Sequence, residues 1–172
     1  MPTKTLIIVD FQKEWQDKDS DYFVGDLSKL LNKTNQLIDY CRQEKYQIIF
    51  IKHVEKGSTT AFVENFQNTE LLTGLHFENT DIIVKKNKIS AFYQTDLATY
   101  LTNVNELVIG GLLTNLCVRS LAQDAYDRDF AITLITDCCQ ANSEEIHNFT
   151  IKDLQETREE IKFLTLSQFT KE

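Results

Sequence analysis

Two short stretches, Leu6-Ile7-Ile8-Val9 and Ile48-Ile49-Phe50-Ile51, are apolar at every position. Successive side chains of a strand point to opposite faces, so a strand with one wetted face alternates, and a strand that is apolar throughout is covered on both. Such a chain must also supply helices for two faces of a sheet. Similar runs predict strands at residues 5–10, 47–53, 81–85, 106–110, 131–136 and 161–166. Between them, leucines and isoleucines at helical spacing predict helices over residues 26–45, 115–129 and 143–156, the last opening on Ser143 as N-cap with Glu144 and Glu145 in its first turn. The β-α alternation predicts an α/β fold, a three-layer α/β/α sandwich around a mostly parallel, Rossmann-like sheet of about six strands.

The 172 residues suffice for one substantial core, and a single domain over residues 1–172 is expected. The formal net charge is −8, and its basic residues are scattered. That argues against a nucleic acid or an anionic membrane as partner. The first apolar run is too short for a signal-peptide core or a membrane span and is interrupted at Asp10, so a cytoplasmic location is expected. Cys41, Cys117, Cys138 and Cys139 form neither a disulfide framework nor a C-x-x-C motif, and free thiols are expected. Cys138 and Cys139 are expected to pack after a strand, one on each side. The irregular residues 55–79 either shape a pocket at the carboxyl ends of the strands or form a solvated loop.

Three ionisable residues fall at or just beyond the carboxyl ends of predicted strands: Asp10 after the first, Lys86 after the third and Cys117 after the fourth. Ligands of open α/β sheets bind along that edge, where residues distant in sequence converge. A thiol must lose its proton to attack a carbonyl. A carboxylate can accept that proton, and an ammonium or a helix N-terminus lowers the thiol pKa. Cys117 is therefore expected to be the one cysteine with a strongly depressed pKa. Each residue also has a plainer reading: Cys117 as core, Asp10 as a turn residue, Lys86 as part of a solvated lysine run.

Three segments carry a family resemblance. "LIIVDFQKEW" is similar to a strand-Asp-x-Gln motif with an aromatic residue, here Trp15, five after the aspartate. "VKKNKISAFYQTDLATYL" is similar to a Lys-x-x-x-Ser-x-Phe-x-x-Thr-x-Leu segment, which selects Lys86. "GGLLTNLCVRSLAQDAYDRDFAITLITDCCQA" is similar to a Gly-x-x-Thr-x-x-Cys-Val motif with its Asp-Ala helix and next strand. In this order they resemble the isochorismatase-like cysteine hydrolases, which include the nicotinamidases and related amidases.

The resemblance implies a catalytic triad of Asp10 as base, Lys86 as electrostatic partner and Cys117 as nucleophile. It also implies a non-proline cis peptide at Leu112-Leu113 and an oxyanion hole formed by the backbone N–H groups of Leu113 and Cys117. The implied reaction is hydrolysis of a small-molecule amide substrate by a homo-oligomer. Trp15 and Phe92 are read either as walls of a flat acyl pocket or as cover for the core. Nicotinamidases of the family carry an Asp-x-His pair that binds a metal, and the matching strand end here places Lys52 where that aspartate would be. His53, His76 and His147 lack metal-ligand spacing, so neither a metal nor another cofactor is expected, and His147 is read as structural. A nicotinamidase is the alternative enzyme. A flavodoxin-like binding module without chemistry is the alternative of another class, although no Gly-rich dinucleotide fingerprint or P-loop is present.

Overall fold

The computed structural model describes residues 4–171. Its strands are β1 (Lys4–Val9), β2 (Gln47–His53), β3 (Ile82–Lys86), β4 (Glu106–Leu112), β5 (Ala131–Gln140) and β6 (Lys162–Leu164). They form one sheet in the order β3-β2-β1-β4-β5-β6, and every pairing is parallel. Its helices are α1 (Ser28–Gln43), α2 (Leu97–Tyr100), α3 (Arg119–Tyr126), α4 (Glu144–Thr157) and α5 (Leu166–Phe169). The expected three-layer sandwich is borne out.

Alternation along the central strands builds both cores. Leu6, Ile8, Ile48 and Phe50 face the layer of α1 and α5, packing with Leu30, Leu37, Ile38 and Phe169. Ile7, Val9, Ile49 and Ile51 face the opposite layer with Leu97 of α2, Leu101 just after it, and Leu121, Ala122 and Ala125 of α3. The uninterrupted apolar runs thus serve two cores at once.

The strand order places β1 and β4 side by side although the chain runs outward from them in opposite directions. This is the switch point at which open α/β sheets leave a crevice. Val9 pairs with Gly111, whose φ of +137° turns its Cβ position onto β1, 2.2 Å from the Val9 carbonyl oxygen. Gly111 therefore leaves room for β1, while a Cβ at Gly110 would meet Cys138 of β5, 3.1 Å from its carbonyl oxygen.

Some boundaries differ from those expected. β5 runs on to Gln140 because its pairing with β4 skips at a bulge, from Ile109–Leu134 to Gly111–Cys139. Polar residues Thr136 and Asp137 look like a strand end in sequence. In the fold, Asp137 accepts the Leu166 N–H (2.7 Å) and an ion pair from Lys33 (2.7 Å). Cys138 and Cys139 consequently lie inside the strand, one in each core. All four cysteines are free. β6 is shorter than expected, and α5 takes over after a capping box at Thr165. Residues 55–79 pack down through Phe62, Leu72, Leu75 and Phe77. No helix among the described residues is long and apolar enough to cross a membrane.

Candidate active site

Asp10 follows the last residue of β1 in a left-handed conformation, φ 51°, which aspartate tolerates better than most side chains. Its backbone is over-determined. The Asp10 N–H donates to the Ile51 carbonyl (3.0 Å), and its carbonyl accepts from the Gln12 N–H (2.9 Å) and the Trp15 indole N–H (2.7 Å). Trp15 is buried edge-on against Tyr22 and Phe62, so its contact with the site is through the Asp10 backbone. Gln12 is fully buried. Its amide oxygen accepts the His53 N–H, and its amide nitrogen donates to the carbonyls of His53 and Thr69, each at 2.8 Å. This fastens the turn after β1 to the end of β2 and to the long loop. The sequence signal for Gln12 is an amide two positions after the candidate base.

Lys86 ends β3 in register with His53 of β2, and its side chain reaches inward toward β1. Its ammonium lies 2.8 Å from Asp10 Oδ2, with both side chains almost fully buried. Three aligned hydrogen bonds leave the ammonium, to Cys117 Sγ (3.2 Å), His53 Nδ1 (3.3 Å) and the Lys88 carbonyl (3.2 Å). The Asp10 contact is an ion pair without hydrogen-bond alignment, because neither carboxylate oxygen has an aligned partner among the described residues. Burial disfavours the Lys86 charge, but Asp10 and the Cys117 sulfur outweigh it and hold the pKa above the ordinary lysine value. Lys86 is a cation at neutral pH.

Cys117 stands in a wide turn, Thr114–Val118, between β4 and α3, closed by a Val118 N–H bond to the Leu113 carbonyl (3.2 Å). The Leu112–Leu113 peptide entering the turn is cis. Buried Thr114 anchors the turn through its hydroxyl, 2.8 Å from His147 Nδ1 of α4. The Cys117 thiol is pushed up to about 12, first by burial and then by Asp10, with Lys86 only partly opposing. The expectation of a depressed pKa is thereby corrected. Lys86 does bond the sulfur, but desolvation and the neighbouring carboxylate both favour the neutral thiol. At rest, Cys117 keeps its proton beside a carboxylate that can take it.

Thus Asp10, Lys86 and Cys117 meet, while Phe92 lies elsewhere. Its ring packs into the core layer opposite Trp15, under the Arg128 guanidinium at 4.4 Å. Lys52 turns away to an ion pair with Glu70 (2.8 Å). His53 presents Nδ1 to the Lys86 ammonium and Nε2 to Glu55 Oε2 (3.2 Å). With one ring nitrogen of His53 facing a cation, Ile51 two residues before His53, and Lys52 followed two residues later by Val54, no Asp-x-His pair forms in either register, and the residues present do not fit the metal set of the nicotinamidases. No group of three or more His, Cys, Asp or Glu among the described residues is placed to hold a metal ion. Beside the site, a polar cavity of about 420 Å³ is lined by Glu55, Lys56, Ser58, Glu64, Lys85 and Lys86, so the long loop does shape a pocket.

Residues 4–162 match the family model described as Isochorismatase domain. The chain is 31% identical over 157 residues to the uncharacterized isochorismatase family protein YaaI of Bacillus subtilis, covering 86% of each. It is 26% identical over 164 residues to Nicotinamidase 3 of Arabidopsis thaliana, covering 87% of this chain and 79% of that one. Among solved structures, an isochorismatase-like hydrolase from Alkaliphilus metalliredigens superposes with a TM-score of 0.87 at 21% identity, over 98% of both chains.

Proposed function

The chain belongs to the isochorismatase family, and we propose that it is a cysteine-dependent hydrolase cleaving the carbon–nitrogen bond of a small-molecule amide through a thioester. The observation that carries this reading is the Lys86 ammonium held between the Asp10 carboxylate and the Cys117 sulfur. Resemblance to a nicotinamidase supports the amide as the bond class.

In this reading Asp10 takes the thiol proton as the sulfur attacks the carbonyl carbon, and Lys86 holds the charge of whichever partner is anionic. The oxyanion of the tetrahedral intermediate meets the N–H groups of Leu113 and Cys117, donors of a kind worth about 2.7–4 kcal/mol each. Its collapse breaks the C–N bond, and the departing amine receives the proton from Asp10. Water then gives a proton to Asp10 and attacks the thioester; the acid leaves, and the sulfur recovers its proton.

The test is a screen of primary amides, ureides and esters for release of ammonia, amine or acid. A slow substrate should leave an acyl adduct on Cys117, visible by mass spectrometry. Binding without turnover of any compound would return the non-catalytic binding module. Metal dependence gives a second test. Turnover should survive dialysis against a chelator, because Lys52 and His53 are engaged with Glu70, Lys86 and Glu55. Loss of activity restored by one added metal ion would return the nicotinamidase reading.

A further inference from the structure

A lysine ammonium has three N–H donors and no acceptor. Around Lys86 they meet four acceptors: the Asp10 carboxylate at 2.8 Å, and His53 Nδ1, the Lys88 carbonyl and Cys117 Sγ at 3.3, 3.2 and 3.2 Å. Two of these acceptors belong to the scaffold: His53 is the last residue of β2, and the Lys88 carbonyl lies just past β3. Building on the hydrolase reading above, we propose that His53 is a positioning residue for the reaction: its neutral Nδ1, with the Lys88 carbonyl, forms two legs of a tripod that aims the third Lys86 N–H between the Asp10 carboxylate and the nucleophilic sulfur.

The tripod requires one tautomer. Nδ1 must be an acceptor opposite an ammonium, so the ring proton sits on Nε2, where Glu55 Oε2 at 3.2 Å accepts it. The ring is held from its other sides as well. The Gln12 side chain pins both the N–H and the carbonyl of His53, and Phe62 packs edge-on against the imidazole at 5.1 Å. A second proton on the ring would point Nδ1–H at Lys86 and remove one leg. Three charged groups face the ring: Lys86 from β3, Asp10 from the end of β1 and Glu55 from the segment after β2. Burial and Lys86 lower the pKa of His53, against the opposing pull of Asp10 and Glu55. The imidazole is therefore neutral at pH 7 and loses the acceptor only in acid.

Three variants and one spectrum test this. His53→Leu removes the acceptor and should lower kcat by roughly 100-fold with little change in KM, as expected for a misaimed catalytic group. His53→Asn places an amide oxygen near the Nδ1 position, so it should recover most of that loss. In kcat/KM, the acid limb that the wild type shows below the ordinary histidine value of about 6.5 should move to lower pH, because the histidine no longer contributes to it. Glu55→Gln removes a charge that raises the His53 pKa and should move the limb to lower pH. Wild-type kcat in His53→Leu, or an unchanged acid limb in His53→Asn, would overturn the proposal. The ¹⁵N spectrum of His53 in the wild-type protein should show the Nε2–H tautomer at pH 7; the Nδ1–H tautomer would overturn the proposal even if His53→Leu failed to fold. If the wild type turned over no amide, the hydrolase reading would fail, and the proposed positioning role in hydrolysis would fail with it. The tautomer would then report only on the resting contact between His53 and Lys86.

Discussion

Asp10→Asn should abolish turnover and at the same time make Cys117 more reactive toward iodoacetamide at pH 7. The two effects have one cause. In the wild type, burial and the Asp10 charge raise the thiol pKa while Lys86 lowers it. Replacing the carboxylate with an amide removes one of the raising influences and leaves the Lys86 cation without its counter-ion, so the thiolate gains. Nucleophilicity falls as pKa falls and offsets about half of that gain, so alkylation should rise roughly tenfold. Turnover should fall by roughly 10²–10⁴-fold, because the amide can neither accept the thiol proton nor return it to the leaving amine. Cys117→Ala should lose turnover as well and show no label at that position, while the buried Cys41, Cys138 and Cys139 stay slow. Labelling mapped by mass spectrometry beside a turnover assay reads both effects. Slower alkylation in Asp10→Asn would show that Asp10 promotes the thiolate at rest, contrary to the balance of burial, Asp10 and Lys86 at the sulfur. Near-wild-type turnover in Cys117→Ala with loss in Asp10→Asn would replace the thiol mechanism with a carboxylate-driven hydrolysis.

Gly111→Ala should be severely destabilising although it adds only one methyl group. Its Cβ would lie 2.2 Å from the Val9 carbonyl oxygen and 2.6 Å from the Val9 nitrogen, both backbone atoms of a central strand. No side chain can move aside to relieve the overlap. Two costs add: about 1–3 kcal/mol for overpacking and about 1–3 kcal/mol for a φ of +137° that side chains rarely adopt. The sum, roughly 2–6 kcal/mol, is a large part of the stability of an ordinary domain, about 5–15 kcal/mol. Gly25→Ala isolates the second cost, since φ there is +96° and no atom lies within 4 Å of the added Cβ. Urea unfolding midpoints should fall much further for Gly111→Ala than for Gly25→Ala. Equal shifts would mean that β1 and β4 can part without cost, and that the close approach does not hold Asp10 against the turn that carries Cys117.

The sheet was legible because its signal is local. Apolar runs of the right length, bounded by polar residues, mark a buried parallel strand wherever they occur, and β2 falls on the expected residues 47–53. β5 runs past its expected end where tertiary contacts override the local pattern, since the partners of Asp137 lie on α1 and at the start of α5. The candidate site was legible in part for a similar reason. Strand ends of a parallel sheet lie along one edge, so Asp10, Lys86 and Cys117 could be placed there from order alone. Phe92 shows the limit: nearness in a motif says nothing about the face on which a side chain lies, and this one belongs to the layer opposite Trp15.

By itself, the sequence determined the fold class, the edge at which chemistry-bearing residues gather and the family resemblance, because each rests on periodicity or on motif order along the chain. Only the tertiary structure decided the protonation state of Cys117 and the company of Lys86. A thiol pKa depends on the balance of burial, Asp10 and Lys86 at a few ångströms, and sequence spacing is silent about burial. The roles of Gln12 and His53 were hidden for the same reason. Their side-chain partners, Thr69 for Gln12 and Lys86 for His53, lie 57 and 33 positions away in the chain and meet them only once the strands are paired.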